Sequence, residues 1–267
     1  MEQFLQVSIS ICSCHSVSSS HHHPSLFTST SCRSVTTNVA NPADVPSCAG
    51  FPLATTTRID FTAGDSSAWP ELPSCLGLLT ELRHLRIETG RLSGTIPASL
   101  GEHLTLLTSL RLEGMMISGT IPNSLGGLTA LRELVLGSNQ LQGTVPVELG
   151  QLTALTRLDL DFNQLTGTVP TELGLLTNLS LWLKLNNNEF VGTIPVELQA
   201  LESLTWLNME VNQLTGTIPT ELSGMESLKW LSLSGNQLTG TVPEWVRNIS
   251  SCPGYPQCYD VSGNQLV

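Results

Sequence analysis

Leucines recur along most of this chain in a fixed alternation with polar residues. In Leu155-Thr156-Arg157-Leu158-Asp159-Leu160, Leu158 and Leu160 alternate with polar positions, which predicts a strand buried on one face. Asn163 follows, and an asparagine stands at the same place at Asn139, Asn188, Asn212, Asn236 and Asn264. Such an amide both donates and accepts, so it suits a turn whose backbone groups lack sheet partners. Leu165 and Val169 then point inward; Gly167 permits the bend between them, and Pro170 fixes φ and ends any ladder bonding. Thr171 to Leu176 returns as a short helical or 3₁₀ turn. Gly-Thr-(Ile/Val)-Pro begins at Gly94, Gly119, Gly143, Gly167, Gly192, Gly216 and Gly240, in steps of 24 or 25 residues. One such coil cannot bury its leucines alone, so the coils must stack.

The repeat LxxLxLxxNxLxGx(I/V)PxxLGxL resembles the plant-type leucine-rich repeat over roughly Arg58 to Leu266. That class occurs in ectodomains of receptor-like kinases and receptor-like proteins, and in polygalacturonase inhibitors. The resemblance implies an α/β solenoid: a right-handed superhelix with a parallel, concave inner sheet and short helical or 3₁₀ turns outside. Residues 1–50 are Ser/Thr-rich and carry no repeat, and they read as a leader, either a secretory signal or a disordered segment. Residues 51–267 read as the solenoid, with an irregular first coil at 58–81, regular coils over about 82–243 and a C-terminal cap at 244–267. Gly90 and Met115 replace the asparagine in two early coils, so the N-terminal coils should be looser.

Composition narrows the partners. The formal charge of −11 argues against nucleic acid and anionic membrane surfaces. No apolar run approaches the length needed to span a bilayer. The seven cysteines, Cys12, Cys14, Cys32, Cys48, Cys75, Cys252 and Cys258, avoid the regular coils 94–243. Cysteines confined to the ends of a solenoid read as disulfide staples on its caps, and Cys252–Cys258 is the expected pair. The pairing of the other five stays open. No metal or cofactor site is expected: the tract His21-His22-His23 lacks preorganisation, and no zinc-like ligand set accompanies the cysteines. Asn178-Leu-Ser180 and Asn248-Ile-Ser250 are glycosylation sequons, consistent with a secreted or cell-surface protein; a cytoplasmic location is the alternative.

Two columns outside the inner sheet stand out. Glu148, Glu172, Glu197 and Glu221 form an acidic ridge, read as solvated rather than calcium-binding. Thr95, Thr120, Thr144, Thr168, Thr193, Thr217 and Thr241 occupy one motif position, which a second short strand explains. The sharper reading is a regular hydroxyl array that orders water or contacts ice or a polymer.

The inner strands carry the candidate chemistry. Before the first strand leucine stand His84, Ser109, Glu133, Arg157, Trp182, Trp206 and Trp230. Between the leucines stand Arg86, Arg111, Val135, Asp159, Lys184, Asn208 and Ser232; two residues further stand Glu88, Glu113, Gly137, Asp161, Asn186, Glu210 and Ser234. The expected ligand surface is Trp182, Trp206 and Trp230, with Arg157 stacked on Trp182, flanked by Asp159, Asp161, Lys184, Asn208 and Glu210. The outer two rings should sit roughly 10 Å apart, one strand spacing per coil. Asp159 and Asp161 share a face at about 6.5–7 Å, a separation that overlaps glycosidase carboxylate pairs. Catalysis is nevertheless rejected, because the face is open and nothing in the sequence separates their acidities. The leading expectation is a non-catalytic module that binds a protein, peptide or glycan, as a monomer or in a receptor-type complex. A secreted inhibitor of a polysaccharide-degrading enzyme and an intracellular scaffold are the alternatives.

Overall fold

The computed structural model describes residues 5–11, 33–39, 55–61, 71–87, 92–249, 252 and 257–267. Nine inner strands, from Arg58–Phe61 to Tyr259–Asp260, pair in parallel, each with the strand of the next coil. Register holds residue for residue: Trp182, Leu183 and Lys184 lie beside Trp206, Leu207 and Asn208, which lie beside Trp230, Leu231 and Ser232. One column of the repeat is therefore one row across the face. Leu5–Ile11 and Arg33–Val39 form an antiparallel pair that meets the first inner strand at Ser8 and Asp60.

A second parallel sheet runs from Ser118–Thr120 to Gln213–Leu214, and Thr239–Gly240 pairs with Gln265–Leu266 beyond it. Each coil then turns at a proline. Pro146 and Pro170 hold φ at −63° and lead into the 3₁₀ turns Val147–Gln151 and Thr171–Leu175. A first-turn N–H has no intrahelical acceptor, so proline sacrifices nothing there. The core is one continuous column of apolar side chains, with Leu149, Leu152, Leu155, Leu158, Leu160 and Leu165 fully buried in a single coil. Truncating one such leucine to alanine costs about 2–5 kcal/mol in a packed core.

The asparagines close the turn after each inner strand. The Asn188 amide donates to the carbonyls of Leu160, Leu185 and Asn186 at 2.9–3.2 Å, and its Oδ1 accepts from the Leu165 N–H at 3.0 Å. Asn139, Asn163, Asn212, Asn236 and Asn264 make the same bonds in their own coils. Met115 takes that place one coil earlier and is buried as an apolar side chain. Gly90 and the histidine tract lie outside the described residues.

The chain ends are stapled. Cys252 and Cys258 form a disulfide. Cys75 is also disulfide-bonded.

Candidate functional site

The inner face of coils five to eight, whose inner strands run from Arg157–Asp159 to Trp230–Ser232, is built in layers. Its lowest layer is electrostatic. Lys184 Nζ sits 2.8 Å from Asp159 Oδ2 and 3.8 Å from Asp161 Oδ2. The Asp161 backbone N–H also donates to Asp159 Oδ1 at 3.2 Å. Gly137, the neighbour of Asp161 in the preceding coil, leaves room for both carboxylates: a Cβ there would stand 2.4 Å from Asp161 Oδ1 and 3.0 Å from Asp159 Oδ1.

Both aspartates were expected on the exposed surface, and the structure corrects this. Asp159 is only 2 % exposed and Asp161 only 8 %. The neighbouring coil supplies the cause, because Lys184 reaches across to them. A second expectation also fails. Burial, followed by the negative charge of Asp159, raises the Asp161 pKa to about 7, although Lys184 pulls the other way. The environment does single out one carboxyl, which the sequence pattern hides. Lys184 itself is raised: burial alone would lower it, and the bond to Asp159 with the charges of Asp159 and Asp161 outweighs burial.

Aromatic rings form the upper layer. Trp206 and Trp230 stack with centroids 4.9 Å apart and planes 20° from parallel. The Arg157 guanidinium lies 4.5 Å from the Trp182 ring centroid, and the Lys184 ammonium 5.6 Å from it. Trp182 is thus contacted by two cations, a geometry that holds both rings and charges in place. Arg157 also pairs with Glu133 at 3.1 Å, and Ser109 Oγ donates to the same carboxylate. Glu210 accepts from Ser232 Oγ at 2.7 Å, and its own N–H donates to Asn208 Oδ1. The three tryptophans remain half-buried, neither sealed in nor fully free.

Several polar atoms in this layer have no protein partner. Trp182 Nε1, Trp206 Nε1, Arg157 Nε and Asn186 Oδ1 are buried and unbonded. Asn186 is 3 % exposed, on the same row as Asp161. Native proteins pair most such groups, so a cluster of exceptions marks a place where something else completes the structure.

Sequence reasoning missed one row. The residue before each ladder asparagine takes a left-handed conformation: Ser138, Phe162, Asn187 and Val211 have φ between 47° and 56°, and Gly235 has φ 64°. Glycine at 235 and 263 and asparagine at 187 carry the signal, since these residues tolerate that conformation best.

Elsewhere, Thr95, Thr120, Thr144, Thr168, Thr193, Thr217 and Thr241 are all exposed along the second sheet. The Thr144 methyl carbon packs where a Cβ on Gly167 would stand, 2.8 Å away, and Gly167 needs its φ of 78°. The same packing of a threonine methyl on the next coil's glycine recurs from Thr95 to Thr217, so the hydroxyls share one orientation. Glu148, Glu172, Glu197 and Glu221 lie in the first turns of the outer 3₁₀ segments. Asn178 and Asn248 are exposed, and the Asn178 amide donates to the Thr153 carbonyl at 2.8 Å. Among the described residues, no group of three or more potential metal ligands converges, and no helix is long and apolar enough to cross a membrane.

A leucine-rich-repeat profile matches residues 105–165 and 176–238. No curated protein matches significantly. Among solved structures, the plant peptide hormone receptor RGFR1 in complex with RGF2 is 34 % identical over 73 % of this chain and 30 % of its own, with a TM-score of 0.69. Pollen Receptor Kinase 3 is 31 % identical over 59 % of this chain and 74 % of its own, with a TM-score of 0.52. A plant ice-binding protein is 25 % identical over 82 % of this chain and 78 % of its own, with a TM-score of 0.62. The chain spans about a third of the length of RGFR1 and of a TDR receptor that it also matches.

Proposed function

The chain belongs to the plant-type leucine-rich-repeat family, and from that premise we propose that it is a non-catalytic recognition module that binds an extended peptide on its inner face. The observation that carries this reading is the Trp206–Trp230 stack, half-buried on the inner sheet beside polar atoms that lack partners. Indole rings of this kind supply binding energy at low entropic cost, which is why tryptophan is common in hot spots. RGFR1, similar over most of this chain, is a peptide hormone receptor seen with its ligand, which supports a peptide over a glycan. Trp182, Trp206, Trp230, Arg157, Lys184, Asn208 and Glu210 form the contact surface in this reading. Asp159 and Asp161 act from beneath by fixing Lys184.

Burial of both aspartates argues against hydrolysis. A general acid must reach the bond it protonates, and neither carboxyl is open to a substrate. The disulfides at Cys75 and Cys252–Cys258, with the exposed sequon asparagines Asn178 and Asn248, support an extracellular or cell-surface location. Panning the folded chain against a phage-displayed dodecapeptide library tests the reading. Enriched peptides should bind the wild type and bind Trp206→Ala at least about tenfold more weakly, the scale of a lost hot spot. Enrichment of nothing, or peptides indifferent to Trp206, would contradict it. Capture of a secreted glycanase instead would favour an inhibitor.

One observation favours a second reading. Six of the seven exposed threonines, Thr95 to Thr217, share an orientation fixed by the glycines they pack on, and they lie along the second sheet, whose strands run from Ser118–Thr120 to Gln213–Leu214. A plant ice-binding protein matches most of the chain. Under this reading the second sheet contacts ice. Inhibition of ice recrystallisation that Thr168→Asp with Thr193→Asp abolishes would support it, and inactivity of the wild type would end it.

A further inference from the structure

Phe162 and Val211 break a rule that their own repeat enforces. Every described coil from the third onward places a left-handed residue at this point, because the next residue folds its side chain back onto the preceding turn. The other occupants are Gly114, Ser138, Asn187, Gly235 and Gly263, all small or tolerant of positive φ. Phenylalanine and β-branched valine are poorly suited to it, and valine at φ 51° is an outlier by ordinary steric criteria. Neither gains burial in return: Phe162 is 54 % exposed and Val211 52 %, an exposure that Leu78, Leu175 and Val147 match among the described residues but without a left-handed backbone. Strained positions without a structural return are concentrated at functional sites.

The two side chains share a row on the rim of the inner face, two coils apart, with Asn187 between them. Two strand spacings place them about 10 Å apart. A polyproline-II-like chain advances about 3.1 Å per residue and brings residues i and i+3 to the same side at about 9.3 Å. The charges around the rim are negative. Glu210 precedes Val211, and Glu189 lies between the two coils. Lys184, the cation on the inner rows of coils five to seven beyond the tryptophan column, is held by Asp159 at 2.8 Å. The rim offers no open strand edge, since the Phe162 and Val211 amides already donate to Asn186 and Ser234 of the next coil. Recognition there must proceed through side chains.

We infer that Phe162 and Val211 anchor an extended, cationic peptide that crosses the coils along this rim, with apolar side chains three residues apart. This rests on the peptide-binding reading above and assigns the residues that choose the sequence. Replacement of both by glycine separates binding from folding, because glycine relieves the left-handed strain. The double variant Phe162→Gly with Val211→Gly should keep or raise the melting temperature. Its affinity for peptides enriched on the wild type should fall at least about tenfold. Those peptides should carry apolar residues at i and i+3 beside lysine or arginine. Full binding by the double variant, enrichment of acidic sequences, or a lower melting temperature would each overturn the inference. Loss of binding on Trp206→Ala with full binding by the double variant would sink the rim alone and leave the tryptophan face standing. Loss on the double variant but not on Trp206→Ala would keep the rim and remove the tryptophans.

Discussion

Asn186 and Asn188 are two residues apart, both buried, and live under opposite rules. Asn188 spends its amide on four bonds that tie two coils together. Asn186 leaves its Oδ1 with none. Asn188 belongs to a row of asparagines that repeats from Asn139 to Asn264, whereas the row of Asn186 reads Glu113, Gly137, Asp161, Asn186, Glu210, Ser234. The first row is dictated by the backbone of the repeat. The second is free of that demand, and its members are chosen by something outside the coil.

That contrast is breakable by substitution. The largest effect belongs to Asn188→Ala, which strands the Leu165 N–H and takes one donor from each of the Leu160, Leu185 and Asn186 carbonyls, which keep Asn163, Asn212 and the Phe162 N–H respectively. A buried group left unpaired costs about 1–3 kcal/mol, so a loss of roughly 2–3 kcal/mol is expected in chemical denaturation. A loss no greater than that of Gln164→Ala, on the exposed edge, would show that the row does not hold the turn.

Asp161 gives an intermediate effect that depends on pH. Its pKa rises from 3.8 to about 7 on folding. Between those values the folded state keeps a proton that the unfolded chain has lost, so this contribution is complete below 3.8 and fades as pH climbs through about 7. Asp161→Asn should flatten melting temperature against pH across that window. A wild-type slope that persists unchanged in the variant would place the titration elsewhere. The smallest effect is Asn186→Ala, expected within about 1 kcal/mol because no bond to Oδ1 is lost. A penalty matching Asn188→Ala would erase the distinction between the two rows.

Much of the fold was legible because the repeat states it many times. Leucine spacing, the recurring asparagine and Gly-Thr-(Ile/Val)-Pro each mark one bend, and agreement among seven copies removes ambiguity. The site was legible only as columns. Trp182, Trp206 and Trp230 were placed in one row by their spacing, and the Arg157–Trp182 contact followed from adjacency. The depth of Asp159 and Asp161 was not legible, because it depends on Lys184 reaching from the next coil. The stacking of Trp206 on Trp230, with Trp182 given to cations, depends on rotamers that no column encodes. The strain at Phe162 and Val211 was readable in principle from the glycines at 235 and 263, but exposure on the rim was not.

The central claim is that the tryptophan row serves a ligand and not the fold. Trp206→Ala tests it, with melting temperature and peptide affinity measured on the same preparation. Loss of one stacked ring pair removes roughly 0.5–1.5 kcal/mol beyond area burial, so the variant should stay folded. Affinity for the enriched peptides should fall at least about tenfold. Unchanged affinity with a large drop in melting temperature would make the row a structural staple and contradict the account.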